Sequence, residues 1–293
     1  MVLKRLHSYF QNKSQDKQLL CCMGKLPFDP EFIRFQTGTI EAQHFSSWLD
    51  GLYKIFLLQL SLLNQNWDTV FPLQFVWKKA RDEFVWGSIL SSQDSKEREY
   101  PLGIARWSDH AFSMSFYEQL ADLDLKKFKN QGGFEQALCV FELLEGGDSH
   151  SLLMKGVQAE QPLFYQLIGI FKSWVLRFES MPQYKGVEIP LPKNVSSRTR
   201  LSLIRFWIQL TERLVFTRQW QHVYWHRERL LISFIPLSQK AVVSWILQPR
   251  QSGQWVFLSD KIAVDVVVQK ALQRQLRDPI YSLDGLLARL SES

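Results

Sequence analysis

The sequence is poor in the residues that build extracellular or fibrous scaffolds. Its 293 residues include three cysteines, two of them adjacent at Cys21 and Cys22, and ordinary numbers of glycine (14) and proline (11). Three cysteines cannot form a disulfide framework and suit a reducing compartment. The glycine and proline content excludes collagen-like and low-complexity chains. Because 46% of the residues are hydrophobic, the chain can bury a core, so disorder is excluded as well.

The sequence also lacks a long apolar run. The strongest candidate, residues 55–63, is interrupted by Gln59 and Ser61, whereas a membrane-spanning helix needs roughly 20 apolar residues. The basic pair Lys4 and Arg5 runs into the polar residues 11–14 without an apolar segment, so no signal peptide is expected. These absences predict a cytoplasmic protein with no membrane insertion.

Motifs for catalysis and cofactor binding are missing too. The chain has no glycine-rich phosphate loop and no Gly-x-Ser-x-Gly elbow. His222 and His226 are four residues apart, and on a strand they would lie about 13 Å from each other, too far to share a metal ion. Cys139 falls on the apolar face of a predicted helix and is expected in the core. We therefore predict no enzyme, no catalytic residue, no cofactor and no metal site.

One pair of carboxylates leaves a catalytic alternative open. Asp29 and Glu31 stand close enough in sequence to act as acid and base in a hydrolase. A turn containing Pro27 and Pro30 explains the same residues without any chemistry. We favour the turn.

Positive charge is concentrated in one segment. The formal net charge is +6, and residues 193–229 alone hold eight basic and two acidic side chains. Apolar residues at three-to-four spacing predict an amphipathic helix there, with Arg200, Arg213 and Arg218 on a basic, solvated face. The favoured interpretation is a solvated or protein-binding face, and no nucleic acid is expected. The alternative is a basic module that binds nucleic acid or another anionic surface through residues 193–229.

Helix and strand patterns alternate along the chain without an internal repeat. The pattern predicts a helix at 40–63, a hairpin of strands at 71–77 and 84–90, a loop at 91–100 and a strand at 102–107. It further predicts helices at 134–144 and 162–178, an extended connector at 182–192, strands at 222–225, 230–236, 242–247 and 255–258, and helices at 264–276 and 283–290. This order favours an α/β fold of the α+β type, with a mixed, largely antiparallel sheet covered by helices in αβα-like layers.

An ordered series of short motifs runs through the first third of the chain. The first is Gly24-Lys25-Leu26-Pro27, followed by a turn with Asp29 and then by Phe32-Ile33-Arg34. Later come Trp48-Leu49, Trp67 with Phe71, Pro72 and Phe75, Gly87 with Ser92, and finally Asp94, Arg98, Tyr100 and Pro101. The series resembles the TagF (ImpM) family of type VI secretion-associated proteins. The resemblance is best over residues 22–107.

The resemblance implies a function and a domain organisation. Members of the family are non-enzymatic accessory proteins of the bacterial type VI secretion system that control the apparatus post-translationally. They are associated with a scaffold protein that carries a forkhead-associated domain. We expect a TagF-like domain at 20–247 and a C-terminal extension at 248–293, a strand plus helices packed on the core.

The motif residues also carry structural expectations. Gly24 and Pro27 are typical of turns, and Phe32 and Trp48 are expected as buried anchors, as are Trp67, Phe75 and Tyr100. Arg34 and Arg98 are candidates for ion pairs with Asp29 or Asp94. The chain departs from the family pattern at Glu97, where a glycine usually precedes the arginine. The residues expected to carry family function or partner binding are Gly24, Lys25, Pro27, Asp29, Phe32, Arg34, Trp48, Trp67, Asp94, Arg98 and Pro101.

Overall fold

Nine β-strands form the centre of the molecule. The structure, a computed structural model, describes residues 20–63, 67, 70–80, 83–109, 113–142, 185–191, 193, 195–214, 219–247 and 255–257. The strands are β1 (Leu20–Lys25), β2 (Phe32–Phe35), β3 (Leu73–Ala80), β4 (Glu83–Leu90), β5 (Leu102–Ser108), β6 (Gly186–Pro190), β7 (His222–His226), β8 (Arg229–Ser233) and β9 (Trp255–Phe257). They form one sheet in the order β2-β1-β5-β4-β3-β7-β8-β6-β9. Neighbouring strands are antiparallel except β6 and β9, which are parallel.

Five α-helices are described, and each begins at a residue whose side chain caps it. They are α1 (Ile40–Leu63), α2 (Met114–Ala121), α3 (Gln131–Glu142), α4 (Ser197–Leu214) and α5 (Gln239–Leu247). The capping residues, which accept a hydrogen bond from a backbone N–H of the first turn, are Thr39, Ser113, Asn130, Ser196 and Ser238. Short polar side chains satisfy the otherwise unpaired amides at helix N-termini.

The helices cover both faces of the sheet. Alternate residues of each strand point to opposite faces, so that Cys21 and Phe75 pack under α1 and α5 while Cys22 and Trp86 pack under α2, α3 and α4. Two hydrophobic cores result, one on each face. The predicted fold class, a largely antiparallel sheet in αβα layers, is confirmed.

Several predicted elements are confirmed and three are corrected. The helix at 40–63 and the hairpin of β3 and β4 lie where the sequence predicts them. The predicted strand at 242–247 is wrong, because Ser238 caps a helix whose apolar residues are buried on nearly every side. The predicted connector at 182–192 contains β6. The glycines before the predicted helix at 134–144 lie inside the first turn of α3. The predicted helices at 162–178, 264–276 and 283–290 lie outside the described residues.

Helix α4 is more deeply buried than an amphipathic helix with a broad solvated face. Between residues 201 and 211 only Arg205 and Gln209 are partly exposed. Aromatic residues such as Phe206 and Trp207 fill the core on sides where a solvated helix would carry polar groups. Among the described basic residues of α4, Arg198 in the first turn is exposed and Arg200 and Arg205 are half-buried, while the predicted face also includes Arg213 and Arg218.

A partly buried ion pair joins α5 to the sheet. Arg229 on β8 donates from Nε and Nη2 to the two carboxylate oxygens of Glu188 on β6, at 2.7 and 3.0 Å. Arg229 Nη2 also donates to the carbonyl oxygen of Trp245, at 2.7 Å, and Trp245 Nε1 donates to Glu188. Since a cation near the last carbonyls of a helix is favourable, Arg229 stabilises the end of α5 and its contact with the strands.

Replacing Arg229 by alanine should destabilise the protein by about 3 kcal/mol, because it leaves the Glu188 carboxylate buried without its cation. The matched control is Arg198→Ala, which removes an exposed arginine paired with Glu118 and should cost less than about 1 kcal/mol. Urea unfolding of both variants measures the difference. Equal losses would show that the Glu188 pair contributes no more than a surface pair.

Candidate functional site

The first and last motifs of the family series meet at one corner of the fold. This motif corner, residues 24–34 and 91–101, consists of the end of β1, the turn into β2, the beginning of β2 and the loop between β4 and β5. The two segments are far apart in sequence but adjacent in space, since β1 and β5 are neighbouring antiparallel strands with Met23 opposite Gly103.

The carboxylate of Asp94 lies at the centre of the motif corner. Lys25 Nζ donates to Asp94 Oδ2 at 2.6 Å and Arg98 Nε donates to the same oxygen at 2.7 Å. The backbone N–H groups of Lys96 and Arg98 donate to Asp94 Oδ1, both at 2.9 Å. Asp94 and Lys25 are buried, so this is a charge-assisted network within the fold.

These contacts hold Asp94 in its ionised form. Burial alone raises the pKa of the Asp94 carboxyl, but the hydrogen bonds from Lys25 and Arg98 and from the two backbone amides outweigh burial. The pKa of Asp94 is therefore well below its usual range. Ordinary changes in pH leave the network intact.

The same network fixes the beginning of β2. Arg98 Nη2 donates to the carbonyl oxygen of Pro30 at 2.8 Å. The backbone N–H of Ser95 donates to the carbonyl oxygen of Asp29 at 3.3 Å. The N–H of Glu31 donates to Asp29 Oδ1 at 2.9 Å, the arrangement of an Asx turn. The turn interpretation of Asp29 and Glu31 is confirmed.

Gly24 lets the two segments approach each other. Its φ is +141°, and a Cβ atom built there would lie 2.4 Å from the carbonyl oxygen of Pro101. Only glycine fits this close contact without moving the backbone. The Gly-Lys motif thus places Lys25 beside Asp94.

Aromatic rings cover the polar network on the α1 side. The rings of Phe32 and Tyr53 each lie 4.5 Å from the ring of Tyr100, between centroids. The Tyr100 hydroxyl donates to Asp50 of α1, and Tyr53 donates to the carbonyl oxygen of Glu99 at 2.9 Å. Burial and then the Asp50 contact raise the pKa of Tyr100, so this tyrosine stays neutral.

The motif corner presents an exposed surface made mainly by β2. Phe32 is 45% exposed, which corrects the expectation that it is buried, because β2 is the terminal strand of the sheet among the described residues. Arg34 is exposed, and the Arg98 side chain is 57% exposed although it pairs with Asp94. The predicted pairing of Arg98 with Asp94 is confirmed.

Two of the family-motif tryptophans lie away from the motif corner. Trp67 is buried and packs on Phe71, with ring centroids 4.9 Å apart. Trp48 on α1 is half-buried rather than fully buried, and its ring contacts that of Trp77 at 4.7 Å. These residues attach α1 to the sheet.

The basic residues that the structure describes in segment 193–229 have separate partners. Arg200 is half-buried and donates from Nη2 to the carbonyl oxygen of Lys193 at 3.2 Å. Arg198 pairs with Glu118 at 3.1 Å, and Arg229 belongs to the partly buried pair with Glu188. The side chain of Arg213 and the whole of Arg218 lie outside the described residues. The described contacts do not favour the nucleic-acid alternative.

Burial shifts the pKa values of two titratable side chains elsewhere in the described residues. Burial raises the pKa of the Cys21 thiol to about 12 and lowers that of His222 to about 4, so neither is charged near neutral pH. Cys139, expected in the core, is half-buried. Within the described part of the chain, no cluster of His, Cys, Asp and Glu could hold a metal ion. No described helix has both the length and the apolarity to cross a membrane.

Two polar residues of the site were not predicted from the sequence. Ser92 donates from Oγ to the carbonyl oxygen of Lys25 at 2.6 Å and accepts from the N–H of Tyr100 with its own carbonyl oxygen. Asp50 accepts from Tyr100. The position of Ser92, two residues before Asp94 in the motif series, was a usable signal, whereas nothing in the helix pattern of α1 distinguishes Asp50.

The strands and helices together define an α+β domain. Residues 21–132 match the model of the TagF N-terminal domain, described as type VI secretion system-associated. The resemblance expected from the motifs is confirmed, and the match extends beyond the motifs to the beginning of α3.

A solved structure shows a weaker likeness. The crystal structure of PA0076 from Pseudomonas aeruginosa PAO1 at 2.05 Å resolution is similar to this chain with 15% sequence identity and a TM-score of 0.44. The likeness covers 78% of this chain and 94% of that one. No curated protein matches the chain.

The departure from the family at Glu97 has a structural cost that a substitution can test. Glu97 has a φ of +59°, a left-handed conformation that costs a non-glycine residue roughly 1–2 kcal/mol. Glycine removes this strain but adds about 0.5–1 kcal/mol of unfolded-chain entropy. We expect Glu97→Gly to raise the free energy of unfolding by about 0.5–1 kcal/mol.

Lys96→Gly is the matched control for Glu97→Gly. Lys96 is not among the positive-φ residues, so its replacement brings only the entropic cost and should lower stability. Thermal and urea unfolding of both variants provide the comparison. A loss of stability in Glu97→Gly as large as that in Lys96→Gly would contradict this account of the loop.

The Asp94 network predicts a pH-dependent contribution to stability. Since the folded pKa of Asp94 is lowered, its contribution is complete above the unfolded value of about 3.9 and is lost as the pH falls towards the folded value. The melting temperature of Asp94→Asn should therefore be well below that of the wild type at pH 5–8. The difference between the two melting temperatures should become smaller below about pH 4. Glu31→Gln, which changes an exposed carboxylate, should show no such difference. A difference that stays constant from pH 7 to pH 2 would contradict this role of Asp94.

Proposed function

We propose that this chain is a non-enzymatic accessory protein of a bacterial type VI secretion system that acts by binding another component through the motif corner. The observation that carries the proposal is the Asp94 network, which uses the polar groups of the family motif to hold an exposed surface in one conformation. A preorganised surface binds a partner without the entropic cost of ordering a loop. The match to a type VI secretion-associated domain supplies the biological context.

The use of the polar groups supports binding rather than catalysis. Asp29 accepts a backbone hydrogen bond in a turn, and Asp94 is held ionised by four donors. A general acid or base needs a pKa near the working pH, and the lowered pKa of Asp94 does not supply it. The charged groups of the motif corner thus act by position and charge.

The family resemblance suggests the partner and its place. The partner we propose is the cytoplasmic scaffold protein with a forkhead-associated domain, and the effect is post-translational control of the apparatus. The surface available to such a partner combines the exposed ring of Phe32 with the charges of Arg34, Lys96 and Arg98. Half-exposed aromatic and arginine side chains are typical of binding hot spots.

The test is a binding measurement between the purified chain and the scaffold protein of the same secretion system. Arg34→Glu and Lys96→Glu each reverse one exposed charge of the motif corner and should weaken binding about tenfold, or about 1.4 kcal/mol. Lys126→Glu makes the same charge change on an exposed turn outside the motif corner and should leave the affinity unchanged.

A second measurement connects binding to secretion. A strain that lacks this protein should secrete type VI substrates at an altered level, and the Lys126→Glu variant should restore the original level better than Arg34→Glu. If the scaffold protein does not bind the wild-type chain and secretion is unchanged in the deletion strain, the proposal is wrong.

A further inference from the structure

Within the part of the chain that the structure describes, the outer edge of β2 at the motif corner pairs with no other strand. β2 is the terminal strand of the sheet and pairs with β1 alone among the strands that the structure describes. Exposed edges offer free N–H and C=O groups to another strand, and proteins protect them with short strands, charged side chains, proline, bulges or inward charges. The strand β2 is short and carries one exposed charge, Arg34, but it contains no proline and no bulge.

The edge is also held rigid. The Asp94 network fixes the carbonyl groups of Asp29 and Pro30 immediately before β2, and the antiparallel ladder with β1 places Lys25 opposite Phe32. A strand that is already ordered loses little entropy when a second strand pairs with it. The edge is therefore suited to pairing despite its four residues.

The two faces of β2 restrict how two identical strands can pair. Ile33 packs into the core under α2 and α3, whereas Phe32 contacts Tyr100 on the α1 side. Opposite residues of an antiparallel pair have their side chains on the same face. A closed dimer of two β2 strands has a twofold axis perpendicular to the sheet. This symmetry allows only those registers in which Phe32 and Arg34 of both copies lie on the same face of the joined sheet.

Four registers place a residue of β2 opposite itself, and one of them is favourable. Pairing Phe35 with Phe35 leaves every other residue of β2 opposite a residue outside the strand. Pairing Arg34 with Arg34 of the second copy places like charges opposite each other, which is destabilising. Pairing Phe32 with Phe32 brings Arg34 opposite Pro30, which has no N–H to donate. The remaining register pairs Ile33 with Ile33 and places each Phe32 opposite Arg34 of the other copy.

We propose that the β2 edge binds a second copy of this chain, which joins the two sheets into one continuous antiparallel sheet. In the favoured register each exposed Arg34 guanidinium lies against the exposed Phe32 ring of the other copy, a cation–π contact that occurs twice by symmetry. In this register β2 is self-complementary in the faces that its side chains occupy. The interface is small, so the dimer is weak and forms at high protein concentration.

The first test measures the mass of the purified chain alone by sedimentation over about 5 to 500 µM, the range in which small interfaces associate. The average mass should rise from the monomer value of 34.5 kDa towards twice that value. Arg34→Glu should remain monomeric, and the matched control Lys96→Glu, with the same charge change outside β2, should behave like the wild type. A wild-type chain that stays monomeric throughout, or an Arg34→Glu variant that dimerises equally, overturns the proposal.

The second test fixes the register and does not depend on the first. In a Cys139→Ser background, the double variant Phe32→Cys/Arg34→Cys should form a disulfide-linked dimer on mild oxidation, because opposite residues have Cα atoms about 4.5–5.5 Å apart. Each single variant should form little disulfide-linked dimer. Its cysteines in the two copies are then diagonal neighbours, about 7–8 Å apart, and not directly opposite each other. No cross-linked dimer, or equal cross-linking of the single variants, contradicts this register. Neither test contains a secretion component, so failure of scaffold binding leaves both results interpretable.

Discussion

The buried Asp94 carboxylate is the constraint on which the motif corner depends. A buried charge is tolerated only when it is paired and its acceptor sites are satisfied, and Asp94 meets this condition with Lys25, Arg98 and two backbone amides. The requirement explains residues that look unrelated in sequence. Gly24 brings the strand close enough for Lys25 to reach Asp94, and the tight loop after Asp94 returns Arg98 to it.

The Asp94 network also fixes the position of exposed side chains. Because Arg98 also contacts the Pro30 carbonyl, the charge that satisfies Asp94 orders the backbone that leads into β2. The exposed side chains of Phe32 and Arg34 therefore project from a fixed strand rather than from a loop. Binding surfaces of this kind owe their affinity to the order of the backbone as much as to the side chains that touch the partner.

The sequence predicts most of the fold and the membership of the motif corner, but not its exposure. Period-two and period-3.6 patterns locate α1 and the hairpin of β3 and β4, where the local signal agrees with the packing. At 242–247 they fail, because a helix buried on most sides has the same run of apolar residues as a buried strand. Phe32 was predicted as buried since aromatic residues are usually core, and only the position of β2 at the end of the sheet reveals otherwise. The contact between Asp50 and Tyr100 is likewise decided by tertiary packing.

The region that matches the TagF N-terminal domain does not end at a structural boundary. Residues 21–132 supply β1 to β5, yet β3 pairs with β7 along four residues, and Tyr117 of α2 packs on Trp225 of β7 with ring centroids 4.7 Å apart. Helix α1 packs against α5 on the other face. Removing β7, β8 and α5 would expose the Val76 side of one core and the Phe75 side of the other. Residues 21–132 therefore depend on β7, β8 and α5 for their two cores, and the Arg229 pair holds α5 against the strands that complete them.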